Sequence, residues 1–466
     1  MANICFTVLH YRAPFVYMLS VELERRGHAV FFLCPSPKWR DWLLAKGISN
    51  QRILDQTAAI KGEPLSEIEL SLFEEIRKAE RKSNLTLNSM ILMDRLVREW
   101  EPELAYNYLV RLYALLKSFI LENKIDMVIG EATPANELLT SVVCESTDIP
   151  YYFPITVRVP DNRFAFFKGR FHNAFALRKN ITEEDCEAAG KWAEEFLSSF
   201  EKKKPKPSYW HKNNKLPKLQ VAWIYKFFKT LLEEYKYKKT DPTRFNLSWL
   251  LKKRMGEVIN RYRLRGVHFQ EVLQGEKFIL YPLHKQPESS VDVLGDFYSD
   301  QLNLIKQIVR SLPAGYALYV KEHSNAIGDR PVSFYREVER LPNTKLISPM
   351  ADSFYLLKYA SLVVTVSGTM AYEAGLLGKP AITFSDMFFS KLPSVRYCAA
   401  VRNLPGAILE LIEYRPKEND EEEKVRFLKF VHENSFDGTF SDANAYPEVL
   451  RADNVINVCD AIEAVS

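Results

Sequence analysis

The stretch Leu362–Phe384 constrains the fold most strongly, because it carries two buried-strand patterns separated by one helical pattern. Leu362–Val366 is an apolar, β-branched run of the kind that forms a strand buried on both faces. A helical pattern follows and stops at Gly378, and Ala381–Phe384 predicts the next buried strand. The stretch therefore predicts a βαβ unit in a parallel sheet, with a small turn at the carboxyl end of its first strand.

The turn at residues 367–369 has the chemistry of a phosphate site. Ligands of open parallel sheets bind at the carboxyl ends of the strands. Here the hydroxyls of Ser367 and Thr369, the backbone of Gly368 and the free N–H groups of the helix start can hold a phosphate. Glu373 lies one helical turn further, where its carboxylate can reach a ribose hydroxyl. An ordinary turn with a buried or capping glutamate explains the same spacing, so both interpretations stay open.

The same alternation of strand and helix patterns fills two regions of the chain. It runs regularly through residues 277–384, which predicts a doubly wound parallel sheet. The first 155 residues open in the same way but lack GxGxxG, so they carry no dinucleotide fingerprint. We predict an α/β fold with four parts: a Rossmann-like domain at 1–200, a basic-aromatic and mainly helical insertion or linker at 201–270, a second Rossmann-like domain at 271–430, and a closing helical segment at 431–466.

The insertion has an unusual charge pattern. Residues 202–239 contain twelve lysines against only Glu233 and Glu234, with tryptophan, tyrosine and phenylalanine interleaved. Lysines and aromatics on one amphipathic stretch suit an anionic membrane surface. A solvated insertion that packs its aromatics on a domain explains the same residues. A nucleic-acid patch is a third interpretation, but no nucleic-acid motif accompanies it.

Composition excludes several classes of protein. The chain has 466 residues and 47% hydrophobic content, enough for packed cores in two or three domains. It lacks an uncharged apolar run of about 18 residues and a signal-peptide pattern. The six cysteines are scattered without a CxxC pair, which favours reduced core thiols. We predict a cytoplasmic protein, with peripheral attachment to the inner membrane as the alternative.

Polar side chains follow three strands of the second predicted sheet. Parallel neighbours bring their carboxyl ends to one edge, so these side chains are expected to converge. A nucleotide sugar fits such a site, because its phosphates need cations or N–H donors and its ribose needs a carboxylate. The predicted donor-binding residues are His284, Gln286, Ser289, Lys321, His323, Ser367, Gly368, Thr369 and Glu373.

Four segments of this domain resemble the bacterial capsular-polysaccharide biosynthesis glycosyltransferases. They are Tyr281–Ser290, Tyr319–His323, Pro342–Pro349 and Ala360–Phe384. This group includes Kdo transferases and is related in fold to GT-B sialyltransferases and polysialyltransferases. The resemblance implies a GT-B fold, with two Rossmann-like domains facing a central cleft.

The resemblance also implies residue roles in donor binding. His323 matches a strand-end histidine that contacts the donor phosphate, although Ser324 stands where the family usually has proline. Ser367 and Thr369 match the phosphate-binding loop. Glu373 matches a glutamate that holds the ribose, and Lys321 adds charge for the leaving phosphate.

The acceptor side is expected in the first domain. An inverting transfer needs a base near the acceptor hydroxyl, and three residues qualify. Glu131 follows a buried strand, His10 follows the first strand, and Asp161 lies in a loop between Arg158 and Arg163. A retaining mechanism would use one carboxylate as the nucleophile, and spacing does not decide between the two. Neither a DxD pair at a strand end nor a His/Cys cluster is present, so we predict no metal and no cofactor besides the donor.

The sequence thus predicts a glycosyltransferase of capsular or lipopolysaccharide-type synthesis. It would transfer a sugar from CMP-Kdo or another CMP or UDP sugar to a lipid-linked or oligosaccharide acceptor. Two alternatives stay open. One is a non-hydrolysing UDP-GlcNAc 2-epimerase, whose Ser-Gly, Glu-Ala and Gly-Lys-Pro pattern is similar to Ser367–Pro380. The other is a non-catalytic glycan-binding scaffold.

Overall fold

The computed structural model describes residues 1–9, 12–203, 241, 247–272 and 275–465. His10 and most of the basic-aromatic stretch, from residue 204 onward, lie outside the described residues. The described chain forms two compact units. The first contains residues 1–183 and 431–465, and the second contains residues 184–203 and 247–430.

The first 203 residues contain the strands and helices that build most of the first unit. The strands are β1 (Asn3–Thr7), β2 (Ala29–Cys34), β3 (Ile53–Asp55), β4 (Met127–Ile129), β5 (Tyr151–Thr156) and β6 (Arg163–Lys168). The helices are α1 (Ala13–Arg25), α2 (Pro37–Ala45), α3 (Glu67–Ser71), α4 (Phe73–Ser83), α5 (Leu87–Met93), α6 (Pro102–Glu122) and α7 (Ala135–Ser146). Helix α8 (Glu183–Lys203) follows them and belongs to the second unit.

The remaining elements build the second unit and then return to the first. The strands are β7 (Phe278–Pro282), β8 (Ala317–Lys321), β9 (Thr344–Ile347), β10 (Leu362–Thr365), β11 (Ala381–Thr383), β12 (Val395–Tyr397) and β13 (Phe436–Asp437). The helices are α9 (Leu247–Arg263), α10 (Ser289–Asp292), α11 (Gln301–Arg310), α12 (Val332–Glu339), α13 (Ser353–Tyr359), α14 (Thr369–Leu376), α15 (Leu404–Ile412), α16 (Asp420–Glu433) and α17 (Ala452–Val465).

The sheet of the first unit has the order β13-β6-β5-β4-β1-β2-β3. Its strands β5, β4, β1, β2 and β3 are parallel, whereas β6 runs antiparallel to both β5 and β13. Strand β6 is the aromatic run Phe164–Phe167, to which sequence periodicity assigned no element. All four residues are buried, so the polar alternation that marks a half-exposed strand is missing. The closing helix α17 packs its apolar face, including Val458 and Ile462, into the same core.

The sheet of the second unit has the order β12-β11-β10-β7-β8-β9, and every neighbouring pair is parallel. This confirms the α/β prediction of two Rossmann-like units built on parallel sheets. The chain starts at β7, adds β8 and β9 on one side, and then crosses to β10 on the other. The strand order therefore reverses between β7 and β10, and such a switch point opens a crevice at the carboxyl ends of the strands.

The βαβ unit around α14 forms as its sequence predicts. Strand β10 is buried along its whole length, which explains the unbroken apolar run. Gly375 lets α14 approach the sheet, since a Cβ there would lie 2.7 Å from Val395 Cγ2 in β12. Gly378 ends the helix at a left-handed φ of +67°, a conformation that glycine adopts without steric cost.

Within the described part of the chain, no helix is both long and apolar enough to cross a membrane.

Candidate functional site

At the switch point of the second unit, the segment after β7 contacts the last residue of β10. His284 Nε2 lies 2.8 Å from Thr365 Oγ1, the hydroxyl of the last residue of β10. The N–H of Gly368 donates to the same hydroxyl oxygen at 3.2 Å. A Cβ on Gly368 would lie 2.6 Å from Thr365 Oγ1 and 3.2 Å from His284 Cε1. A side chain at position 368 would therefore have to displace the Thr365 hydroxyl or the His284 ring.

A network of polar side chains fixes His284. Gln301 accepts from the backbone N–H of His284 at 2.8 Å and donates to its carbonyl at 3.0 Å. Arg330 donates to the same carbonyl. Burial lowers the pKa of His284 to about 3, and the nearby His323 and Arg330 act in the same direction. His284 is thus a neutral, rigidly held imidazole at neutral pH.

Gln286, the second predicted donor-binding residue after β7, is engaged within the protein. Its Nε2 donates to Asp292 Oδ1 and to the carbonyl of Ser299, both at 2.9 Å. Its Oε1 accepts from Gln301 Nε2 at 2.6 Å. These contacts shape the loop between β7 and α11, so the structure gives Gln286 a supporting position.

The end of β8 carries a buried ion pair next to His323. Glu322, 1% exposed, accepts from Arg330 Nη1 at 2.8 and 3.0 Å and from the hydroxyl of Tyr335 at 2.6 Å. The backbone N–H of His323 also donates to Glu322, at 2.6 Å. Burial raises the pKa of Glu322, and the Arg330 guanidinium opposes that shift. Because Arg330 also holds the His284 carbonyl, one guanidinium links the ends of β7 and β8.

The contacts of His323 define its tautomer. Its Nδ1 accepts from the backbone N–H of Asn325 at 3.1 Å. A nitrogen that accepts carries no proton, so the proton of the neutral ring lies on Nε2. His323 is half-buried. In the neutral ring, Nε2 is therefore the hydrogen-bond donor.

Lys321 lies apart from this arrangement. Its ammonium is buried and donates to the carbonyls of Glu322, at 3.1 Å, and Pro349, at 3.3 Å. Burial lowers the pKa of Lys321 to about 8, against the opposing effect of Glu322. The contact with Pro349 draws the ammonium toward the end of β9, on the side of β8 away from the switch point.

The turn after β10 is tied to α10. Ser367 is buried, and its hydroxyl donates to the carbonyl of Ser290 at 2.5 Å. Ser289 begins α10 and is half-buried, as are Thr369 and Glu373 on the first turns of α14. Among the described residues, Ser290 Oγ is a buried hydroxyl without a hydrogen-bond partner. The structure thus brings the predicted serines and the glycine turn to the same strand ends as His284.

The first unit has its own switch point, between β1 and β4. Glu131 follows β4, forms an ion pair with Arg12, and accepts from the Tyr151 hydroxyl through its carbonyl at 3.1 Å. Gly130, just before it, leaves no room for a side chain, since a Cβ would lie 2.7 Å from the Tyr151 hydroxyl. The predicted acceptor-side carboxylate is therefore half-buried and held by a cation.

Glu137, on α7 behind this ion pair, is a residue that sequence reasoning missed. It is 1% exposed, and its Oε2 has no hydrogen-bond partner among the described residues. Burial raises the pKa of Glu137 well above its usual value, and the negative charge of Glu131 adds to the shift. The signal in the sequence was a single acidic residue inside the apolar helix pattern of residues 135–144.

The third acceptor-side candidate, Asp161, is exposed in the loop between β5 and β6. In the same loop, Arg158 and Asn162 have left-handed φ values of 66° and 60°. Arg163 donates to Asp437 at 2.6 Å and to the Ser435 hydroxyl at 2.9 Å. The structure thus ties Arg163 to the segment around β13. His10 lies outside the described residues.

Glu137→Gln is expected to change how stability depends on pH. The pKa of Glu137 in the folded protein lies above its usual value of 4.5. The protonated side chain therefore contributes its full stabilisation below pH 4.5, and this stabilisation is lost as the pH rises toward the folded pKa. The amide of glutamine is neutral at both ends of this range. The melting temperature of the variant relative to wild type should therefore rise between about pH 5 and about pH 8. The exposed Glu448→Gln is the control, and an equal pH response in both variants would contradict a buried, protonated Glu137.

In the described part of the chain, no group of three or more histidine, cysteine or acidic side chains is arranged to hold a metal ion. Metal independence stays a prediction from sequence.

Residues 193–392 match the family model described as capsule polysaccharide biosynthesis protein. Over these residues the chain is similar to the capsule polysaccharide biosynthesis family. The matched region contains β7, β8 and β10, whose carboxyl ends carry His284, His323 and the turn before α14. This agrees with the resemblance found in the sequence.

Three solved structures have a backbone whose course is similar to that of this chain. The β-Kdo 2,4-transferase KpsC of Thermosulfurimonas dismutans is 12% identical, with 73% of this chain and 88% of that chain covered and a TM-score of 0.34. A glycosyltransferase from Rickettsia africae is 11% identical, with coverage of 97% and 99% and a TM-score of 0.29. The UDP-GlcNAc 2-epimerase of Methanocaldococcus jannaschii is 13% identical, with coverage of 92% and 98% and a TM-score of 0.26. No curated protein matches the chain.

Proposed function

We propose that this protein is a glycosyltransferase of capsule polysaccharide synthesis, with its nucleotide-sugar donor bound at the carboxyl edge of the second sheet. One observation carries the proposal. The ends of β7 and β10 meet at the switch point through His284, Thr365 and Gly368, inside the region that matches the capsule family. Open α/β sheets bind nucleotides at such a place.

In the proposed complex, the donor phosphate lies between the start of α14 and His323. The N–H groups of the first turn of α14 and the positive end of its dipole face the phosphate. The Nε2–H of His323 donates to a phosphate oxygen, in the tautomer set by Asn325. Glu373, one turn into α14, binds the ribose hydroxyls.

These groups supply the stabilisation that the chemistry requires. When the bond between the sugar and the phosphate breaks, negative charge develops on the departing nucleotide. Donors that are already oriented stabilise this charge without reorganising. The bonds of Glu322 and Arg330 hold His323 and His284 in that orientation.

We propose Glu131 as the group that accepts the proton of the acceptor hydroxyl. Its ion pair with Arg12 holds the carboxylate in one position at the carboxyl edge of its own sheet. Asp161 and His10 are the alternative bases. The proposed donor is CMP-Kdo or another CMP or UDP sugar, and the proposed acceptor is lipid-linked or an oligosaccharide.

The test is to incubate the purified chain with CMP, UDP and GDP sugars, with and without capsule oligosaccharide acceptors. The proposal predicts release of one free nucleotide that depends on the acceptor, together with an extended oligosaccharide. Conversion of UDP-GlcNAc to its epimer without any acceptor would replace the transferase with an epimerase. If none of the three nucleotides binds, a non-catalytic scaffold becomes the better proposal.

A further inference from the structure

Helix α9 (Leu247–Arg263) carries an apolar face that the described protein leaves uncovered. Its exposed large apolar side chains are Leu251, Met255, Val258, Ile259 and Tyr262, with 62% of Met255 and 71% of Tyr262 accessible to solvent. These positions are spaced by three and four residues, so they form one continuous stripe along the helix. Isolated exposed apolar residues are ordinary on protein surfaces, but a stripe of five marks an interaction surface.

The opposite face of α9 fixes the direction of this stripe. Asn260 Nδ2 donates to the carbonyl of Gly328 at 3.1 Å, and Arg261 Nε donates to the carbonyl of Ile327 at 2.8 Å. A Cβ on Gly328 would lie 2.5 Å from Arg261 Cγ, so the helix lies directly on this loop. Because the inner face is anchored, the apolar stripe points away from the unit.

Cationic side chains border the stripe. Lys252, Arg254 and Arg263 are exposed beside it, and Arg254 also pairs with Glu257 at 2.9 Å. The Arg265 guanidinium lies 5.4 Å from the ring centroid of Tyr262. Residues 251–265 contain six lysines and arginines and one acidic residue, Glu257. Glu257 is on the inner side of the helix, and its side chain is 14% exposed. The outward face of α9 is therefore apolar along its middle and cationic at its borders.

We propose that the stripe Leu251–Tyr262 docks on an anionic phospholipid bilayer surface. An interfacial helix buries its apolar face at the level of the headgroups, while flanking lysines and arginines bind acidic headgroups. Charge complementarity favours this partner over a second copy of the chain, whose α9 would bring the same cations to the contact. The basic-aromatic stretch 202–239 precedes α9 in the sequence and has the same sign of charge. The inference stands apart from the proposed enzymatic activity.

Docking through α9 would orient the donor-binding edge relative to the membrane. The loop that holds α9, at Ile327 and Gly328, leads directly to Arg330, which braces His284 and Glu322. A bilayer-bound α9 would thus be joined to the proposed donor-binding edge through the short segment from Ile327 to Arg330.

The test is sedimentation of the full chain with phosphatidylcholine vesicles, with and without phosphatidylglycerol. We expect wild-type protein to sediment with the anionic vesicles and not with the neutral ones. The double variant Met255→Glu, Val258→Glu should lower the partition coefficient by roughly tenfold or more, because it puts negative charge in the stripe. Met255→Ser, Val258→Ser should act in the same direction by a smaller factor, and circular dichroism checks the fold of both variants.

The matched control is Ile68→Glu, Leu92→Glu, which changes two exposed apolar side chains of the first unit, 79% and 70% accessible. Its partition coefficient should stay within about twofold of wild type. Wild-type-like sedimentation of both α9 variants would overturn the proposal, and so would equal binding of wild type to neutral and anionic vesicles. A wild-type dimer that the α9 variants abolish, without vesicle binding, would assign the stripe to a second copy instead.

Discussion

Replacing Glu322 with alanine is expected to lower the free energy of unfolding by roughly 3–5 kcal/mol. The substitution leaves the buried Arg330 guanidinium without its carboxylate, and an unpaired buried charge is far more costly than a lost surface contact. It also removes the acceptor of the Tyr335 hydroxyl and of the His323 N–H. Denaturant unfolding followed by circular dichroism measures the change.

The control for this prediction is Glu410→Ala. Glu410 pairs with Arg396, but both side chains are substantially exposed, at 63% and 40%. Surface pairs of this kind contribute little to stability, so the control should unfold almost like wild type. If Glu322→Ala loses no more stability than Glu410→Ala, the buried pair is not what holds the ends of β7 and β8 together.

His323→Ala is expected to reduce kcat/KM for sugar transfer by roughly 10²–10³-fold, the usual effect of removing one oriented donor to developing negative charge. The fold should survive, because the buried partner of the His323 backbone, Glu322, is unchanged. His323→Gln retains a side-chain N–H, so its loss should be smaller. The initial rate of nucleotide release is measured for wild type, His323→Ala and His323→Gln.

His268→Ala is the matched control, since His268 is an exposed histidine of the same unit. Its rate should equal that of wild type. Equal rates for His323→Ala and His268→Ala would remove His323 from the donor site, whatever the identity of the donor.

The parallel sheet of the second unit could be predicted from the sequence almost strand by strand. Runs such as Leu362–Val366 are continuously apolar because both faces of the strand are covered. Sequence order then places strand ends on one edge, so the convergence of His284 with the Ser367–Thr369 turn followed from topology alone. Antiparallel β6 could not be predicted in this way, because its aromatic run has no alternation and its partner β13 lies far along the chain.

The side chains that support the site could not be predicted. Gln301 holds His284 from 17 residues away, and Arg330 from 46 residues away. Such buried polar contacts have no periodicity in the sequence. They also change the roles of predicted residues, as for Gln286, whose amide is bonded within its own loop. The ends of strands can thus be predicted from a sequence, whereas the side chains that orient the residues at those ends are identified only in the structure.

Lys321 shows that the role of a charged side chain could not be predicted from its position in the sequence. At the end of a strand, a lysine suggests a phosphate ligand, yet here the ammonium is buried against two backbone carbonyls. Glu137 is the converse case, since a residue that looked incidental in a helix pattern is buried at the switch point of the first sheet. In both cases burial, which depends on packing from distant elements, decides what the group can do.

A nucleotide is proposed to bind where β7 and β10 meet. Calorimetric titration of CMP, UDP and GDP into wild type and two glycine variants tests this binding site most directly. Gly368→Ala forces a Cβ against Thr365 Oγ1 and His284 Cε1. Gly406→Ala, in α15, adds a Cβ that meets nothing within 4 Å. We predict that one nucleotide binds wild type and Gly406→Ala equally, and binds Gly368→Ala about tenfold or more weakly. Equal binding to all three proteins, or binding of no nucleotide to wild type, would contradict the claim.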